Sequence, residues 1–174
     1  SLIKNNITKS QEERGQPSPA QDELPSLEFL LIHSFSHLII RQISLQCGYS
    51  SSSIRERIYV NNPGDSAGGH CGVLIYTATA DADGTLGGLV RQSKPRMLES
   101  IIHGAIDEAR FCSSDPLCIE SPGQGADSSN LAACHSCMLL PETSCENNNK
   151  LLDRALIVGT LNNPRIGFFD GLRF

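Results

Sequence analysis

Apolar and polar positions divide this chain into segments of different character. Up to about residue 25 the sequence is polar and mixed in charge (Lys4, Lys9, Glu12, Glu13, Arg14), with Pro17 and Pro19 close together and hardly any apolar residue. That composition predicts a linker or a frayed arm. The pattern changes at Leu27. Through about Cys47 the apolar residues Leu27, Phe29, Leu30, Leu31, Ile32, Phe35, Leu38, Ile39, Ile40, Ile43 and Leu45 surround a helix on nearly every side, which predicts that it is buried. Ser26 is placed to cap its first-turn amides and Gly48 to end it. Its exception is a polar line at steps of four, His33, His37 and Arg41, with Ser34 and Ser44 alongside. Two imidazoles on one side could line a site. A polar seam bonded to neighbouring backbone is the expected reading, because two histidines need further ligands before they hold a metal, and no metal is placed here.

Residues 72–80 (GVLIYTATA) are β-branched and aromatic, bounded by Gly68 and Gly69 before and by Asp81, Asp83 and Gly84 after, and predict a buried strand. Leu86, Gly87, Gly88 and Leu89 continue into a glycine-rich turn, explained by close packing rather than by phosphate binding. After Ser93 and Pro95, the residues Leu98, Ile101, Ile102, Ala105, Ile106 and Ala109 recur at three and four, so a helix has one apolar face, with Glu99, His103, Asp107, Glu108 and Arg110 outward. Residues 112–145 are rich in Cys, Ser, Pro, Gly and Asn and cannot close a hydrophobic core alone. A last helix is expected from about Asn149, burying Leu151, Leu152, Ala155, Leu156 and Val158 and ending at Gly159. The tail from Gly167 to Phe174 is expected to pack back as an extended strand or cap. The fold class is mixed, helix-rich α/β: a small central sheet flanked by helices, with a zinc-stabilised cysteine-rich segment near the C-terminus. Residues 1–25 form the arm and 26–174 the domain.

Composition narrows the function classes. A chain of 174 residues, 39% hydrophobic and 19% charged, has room for one core. Fourteen Lys and Arg against 19 Asp and Glu leave a net charge of −5, which argues against an autonomous, charge-driven grip on DNA or RNA. No apolar run approaches the roughly 18–20 residues of a membrane span, so a soluble, cytoplasmic protein is expected, with no membrane partner. No glycine-rich strand-to-helix loop ends in Lys-Ser or Lys-Thr, the pattern of a phosphate-binding loop. It begins at Ser1, as expected of a fragment or of a chain whose first residues were removed.

The seven cysteines carry the chemistry. Their odd number argues against a disulfide framework. Five fall in the pattern Cys112-x5-Cys118-x15-Cys134-x2-Cys137-x7-Cys145. Zinc takes four ligands tetrahedrally, and a C-x2-C pair places two thiolates on one ion, so metal replaces hydrophobic burial in the segment that lacks it. Four of the five are expected to bind: Cys134 and Cys137 are best specified by spacing, Cys118 and Cys145 next, and Cys112 either replaces one of these or packs in the core. Cys47 and Cys71 are expected core fillers. Cys118-Ile119-Glu120 followed by Cys134-x2-Cys137 superficially resembles a zinc deaminase. Ala133 in place of proline, and the short interval between Glu120 and Cys134, argue against one.

Four stretches together resemble the MrfA-like zinc-binding domain, in the version carried by the DISARM phage-defence systems: HSFSHLIIRQISLQCGYSSSSIRERIY (33–59), GVLIYTATADADGTLGGLVRQ (72–92), FCSSDPLC (111–118), and Asn130 with LAACHSCMLLPETSCE and KLLDRAL (131–156). The resemblance covers nearly everything after residue 25. It implies a four-cysteine zinc site at Cys134, Cys137 and Cys145 with Cys118 as the fourth; the longer Cys137–Cys145 spacing and the presence of both Cys112 and Cys118 depart from the helicase-type members. It also implies a helicase partner or fused helicase domain that holds the ATPase motor, in agreement with the missing phosphate loop, so that this chain is not expected to be an enzyme, and an accessory role in engaging or remodelling DNA, in antiphage defence. The alternative is a module that docks the helicase without touching nucleic acid. Arg91, Lys94 and Arg96 form the densest basic stretch and the candidate phosphate contact, with Arg41, Arg55 and Arg57 as a second group.

Overall fold

The computed structural model describes residues 2–20, 23–61, 69–78 and 88–171. Helix α1 spans Leu2–Glu13 and α2 spans Leu27–Cys47. The Ser26 hydroxyl accepts the Phe29 amide at 3.1 Å, satisfying a first-turn donor, and Gly48 turns left-handed (φ 75°) so that its amide returns to the Ser44 carbonyl. Between these caps Leu30, Leu38, Ile39, Ile40 and Ile43 are buried, while Leu27 and Leu45 near the ends are exposed. Helix α4 (Pro95–Ala109), the short α5 (Ala155–Val158) and both strands pack on α2, making it the centre of the core.

Strands β1 (Ile54–Val60) and β2 (Cys71–Thr77) form an antiparallel pair in register from Ile54 opposite Thr77 to Val60 opposite Cys71. The alternation in β1 buries Ile54 and Glu56 against α2 and exposes Arg55, Arg57 and Tyr59. A carboxylate at an inner-face position hides this strand from a search for apolar alternation. Strand β2 falls where expected but is not buried: Leu74 is 51% and Tyr76 39% exposed, because a two-stranded sheet covers only one face. Residues 79 and 80, with Gly68, Asp81, Asp83, Gly84, Leu86 and Gly87, lie outside the described residues, and Gly88 and Leu89 open helix α3 (Gly88–Gln92). Pro95 starts α4, whose Ile101, Ala105, Ile106 and Ala109 are buried.

Two expectations need correction. The N-terminal arm holds helix α1, with Ile3 fully buried; Asn6 donates to the carbonyls of Pro122 and Ser128 at 2.9 and 3.0 Å, and Arg14 pairs with Asp127. One deeply seated apolar residue and long-range hydrogen bonds fix this helix, and neither is visible in local composition. The last helix does not begin near Asn149: Asn148, Asn149 and Leu151 are left-handed (φ 51°, 57° and 65°), which no continuous right-handed helix accommodates, so helix is confined to α5. The tail does pack back. Phe168 and Phe169 amides reach the carbonyls of Leu156 and Ile157, and the Phe169 ring stacks on Phe35 with centroids 5.6 Å apart; residues 172–174 lie outside the described residues. The result is a mixed, helix-rich α/β fold with a small sheet against helices and a cysteine-rich segment.

Gly48 and Gly159 both sit at positive φ, but a methyl on Gly48 meets open space whereas one on Gly159 runs into the Pro164 backbone. Gly48→Ala is expected to cost about 1–2 kcal/mol, the penalty of a left-handed L-residue, and Gly159→Ala distinctly more. Denaturant midpoints of the two variants measure the difference.

Candidate metal centre

The segment after α4 is built of turns whose backbone bonds aim cysteines inward. Cys112 follows the helix; its carbonyl accepts the Asp115 amide at 2.9 Å, and the Ser114 carbonyl accepts Cys118 at 2.9 Å. Further along, the Cys134 carbonyl accepts Cys137 and Met138 at 3.2 and 2.9 Å, folding the C-x2-C pair into one turn. The four sulfurs lie within 4.8 Å of one another: Cys112–Cys134 3.5 Å, Cys134–Cys137 3.7 Å and Cys118–Cys137 3.8 Å. A disulfide needs about 2.05 Å. Metal–sulfur bonds near 2.3 Å in a tetrahedron instead set sulfur–sulfur edges at about 3.8 Å, so the quartet has the dimensions of a four-thiolate metal site.

Burial and mutual contact split the thiols. Burial pushes Cys118 and Cys137 up from the ordinary thiol value. Burial acts the same way on Cys134 but is outweighed by hydrogen bonds from the Cys112 thiol and the Ser136 backbone, which bring it down to about 6. Near neutral pH the quartet thus offers a ready thiolate at Cys134, while Cys118 and Cys137 would have to give up protons to ligate a metal. A metal held by these sulfurs would therefore bind more tightly as pH rises.

A residue that sequence reasoning passed over ties these turns together. Arg154 is fully buried, and its guanidinium donates to the carbonyl of Ala132 (3.1 Å) just before Cys134, to that of Ala109 (2.9 Å) just before Cys112, and to Asp115 Oδ1 (2.6 Å) between Cys112 and Cys118. Asp115 in turn accepts the amides of Cys112 and Ile119, each at 3.0 Å. One planar fork thus spans all three chain segments that carry the sulfurs, and its charge stands beside the buried Cys137 and Cys118. The signal was available: a single arginine inside LLDRALIV, where every other charged or polar residue is Asp153.

A model of the family described as the MrfA Zn-binding domain matches residues 35–138. That span includes all four quartet cysteines and stops before Cys145. The chain belongs to the MrfA Zn-binding domain family. It is also 43% identical over 144 residues to the DISARM protein DrmB of Bacillus paralicheniformis, a match covering 83% of this chain and 25% of that relative. The chain thus spans about a quarter of the length of this curated relative. Among the described residues no helix is long and apolar enough to cross a membrane.

In this MrfA-type domain the remaining candidates are distributed as follows. Cys145 is not with the other four: it is buried beside His33, His37 and Glu56, so the set of Cys118, Cys134, Cys137 and Cys145 implied by resemblance is replaced by one with Cys112. The reason is that the residues on either side of Cys145 are tied to the β1 side of the fold: the Ser144 hydroxyl donates to the Ser51 carbonyl at 2.7 Å, and the Glu146 carboxylate accepts the Ile58 amide at 2.8 Å. Nδ1 of His33 and of His37 bonds to backbone, as a polar seam requires, but their Nε2 atoms face the second group. Cys47 is half-buried at the core edge and Cys71 is exposed at the start of β2, so Cys71 is not a core filler. Glu120 is exposed and accepts from Asn162 at 3.4 Å, away from the sulfurs. Arg41 donates to the Ser136 and Leu139 carbonyls, Arg57 pairs with Glu146 at 3.1 Å, and Arg91, Lys94 and Arg96 are exposed around the α3–α4 junction.

Arg154→Met, which keeps the stem but removes the fork, is expected to lower stability by about 3–5 kcal/mol by stranding Asp115, and to speed loss of bound metal to a chelator. Arg154→Lys recovers only part of this, because a single ammonium cannot serve three separated acceptors. Chelator competition followed by absorbance, together with denaturant unfolding, reads both effects.

Proposed function

We propose that this chain is a zinc-binding accessory domain of a larger DNA helicase or translocase system, with Cys112, Cys118, Cys134 and Cys137 holding one structural zinc. The observation that carries this reading is the convergence of four sulfurs at tetrahedral spacing inside the span matched by the family. Four protein ligands fill a tetrahedral shell and leave no position for a reacting water, which supports a structural role and a non-catalytic domain. In zinc-finger peptides such sites contribute about 10–16 kcal/mol near neutral pH, enough to order a segment with little apolar burial of its own. Four thiolates on a divalent ion leave a net negative charge, and buried Arg154 offsets part of it.

The motor is then in another domain or subunit, and the domain reaches DNA in the cytoplasm as part of that complex. The sequence similarity to a protein named for DISARM supports a place in phage defence. With a net charge of −5, and with Arg41 and Arg57 engaged within the domain, the exposed Arg91, Lys94 and Arg96 are the candidate phosphate contacts. The same net charge favours a second reading, in which an acidic surface docks the helicase and does not touch nucleic acid.

Fluorescence anisotropy with labelled DNA, with and without the helicase subunit, separates the two. The isolated domain is expected to bind weakly and to lose binding steeply with salt. Joint reversal of Arg91→Glu, Lys94→Glu and Arg96→Glu is expected to weaken DNA binding by the complex. Unchanged binding would exclude this patch and select the docking reading.

A further inference from the structure

Four ligand atoms also converge outside the cysteine quartet. His33 and His37 lie one turn apart on α2, Glu56 on the inner face of β1, and Cys145 directly after the turn Glu142–Ser144. Their ligating atoms all lie within 4.8 Å of one another. His33 Nε2 stands 3.2 Å from Cys145 Sγ and 3.2 Å from Glu56 Oε1, and His37 Nε2 stands 3.4 Å from the same oxygen. Metal–nitrogen and metal–oxygen bonds near 2.0–2.1 Å and a metal–sulfur bond near 2.3 Å give tetrahedral edges of about 3.3–3.6 Å, which these separations approach. The histidines and the carboxylate have no exposed surface, and Cys145 is 5% exposed.

Proton accounting points the same way. His33 Nδ1 faces the Leu151 carbonyl at 3.2 Å and His37 Nδ1 faces the Met138 carbonyl at 3.0 Å. A carbonyl only accepts, so each Nδ1 carries the proton, and in the neutral ring each Nε2 presents a lone pair to the centre. This is how metal-binding histidines are oriented by their other ring nitrogen. The Cys145 sulfur receives the amides of Asn147 and Asn149, each at 3.3 Å, and the Ser36 hydroxyl bonds to the outer oxygen of Glu56. Among the described residues, His37 Nε2 and Glu56 Oε1 are left buried with no hydrogen-bond partner. Lone pairs of two nitrogens, an oxygen and a sulfur facing one another leave the centre short of positive charge.

We propose that His33, His37, Glu56 and Cys145 bind a second zinc ion in a closed shell of two nitrogens, one oxygen and one sulfur. One carboxylate and one thiolate neutralise the divalent ion, a charge state that a fully buried site tolerates. This centre shares no residue with the quartet and joins different parts of the fold: it fixes β1 and the 145–149 turn to α2, whereas the quartet closes the loops after α4. The left-handed asparagine turn is then part of the site, since it aims two amides at the ligating sulfur.

The test is zinc stoichiometry of the full chain, saturated with zinc and desalted, by mass spectrometry of the metal, with the coordinating atoms read by X-ray absorption. Two zinc ions per chain are expected, with an average shell containing imidazole nitrogen as well as sulfur. Glu56→Gln and Cys145→Ser are each expected to reduce the content to one ion in an all-sulfur shell. Joint Cys112→Ser and Cys134→Ser is expected to leave one ion in a mixed shell. A wild-type chain with one zinc in an all-sulfur shell overturns the proposal and leaves the quartet standing, the outcome in which protons on the imidazoles fill the centre instead. One zinc in a mixed shell supports this site and removes the quartet reading. Should the variants fail to fold, the wild-type count and shell decide.

Discussion

Residues 112–152 carry little regular structure, and the fold brings four of their cysteine sulfurs together, with separations of 3.5–3.8 Å along the line from Cys112 through Cys134 and Cys137 to Cys118. Everything around the quartet is arranged to make that meeting possible. Short turns bring Cys134 and Cys137 together, the end of α4 delivers Cys112, and Cys118 and Met138 pass the segment into the main hydrophobic cluster beside Ile40, Ile101 and Leu152. The candidate metal centre and the apolar core are thus continuous, and the turns around it are anchored on a helix pair that is conventionally packed.

Charge satisfaction is the second ordering principle. Among the described residues Arg154 is the largest fully buried side chain, and it is tolerated because three acceptors from three chain segments meet its fork. Asparagine side chains do similar work in neutral form. Asn149 pairs with both backbone groups of Leu140, and Asn130 bridges the Asn149 carbonyl and the Leu152 amide. These bonds replace the ladders that a sheet or helix would supply, which explains how long turns stay buried without regular structure.

The parts of the structure that could be read from sequence are those governed by neighbours in the chain. Ser26 and Gly48 bound α2, and the three-and-four spacing from Leu98 to Ala109 marks α4, because capping and amphipathic periodicity are local. The C-x2-C turn is equally local. What depended on distant partners was missed or misassigned: α1, seated by Ile3 and by bonds to residues 122–128; β1, masked by the buried Glu56; and Cys145, held at the β1 side by the bonds of Ser144 and Glu146 to Ser51 and Ile58. His33 and His37 were visible as a pair, but their meaning rests on a strand and a loop that only the fold brings beside them.

The account stands on metal replacing hydrophobic burial at Cys112, Cys118, Cys134 and Cys137. An anomalous difference map collected at the zinc edge, from crystals of the zinc-loaded chain, tests this most directly. The account predicts a strong peak inside the quartet, about 2.3 Å from each of the four sulfurs. An empty quartet, or sulfurs joined in pairs at about 2.05 Å, would contradict it.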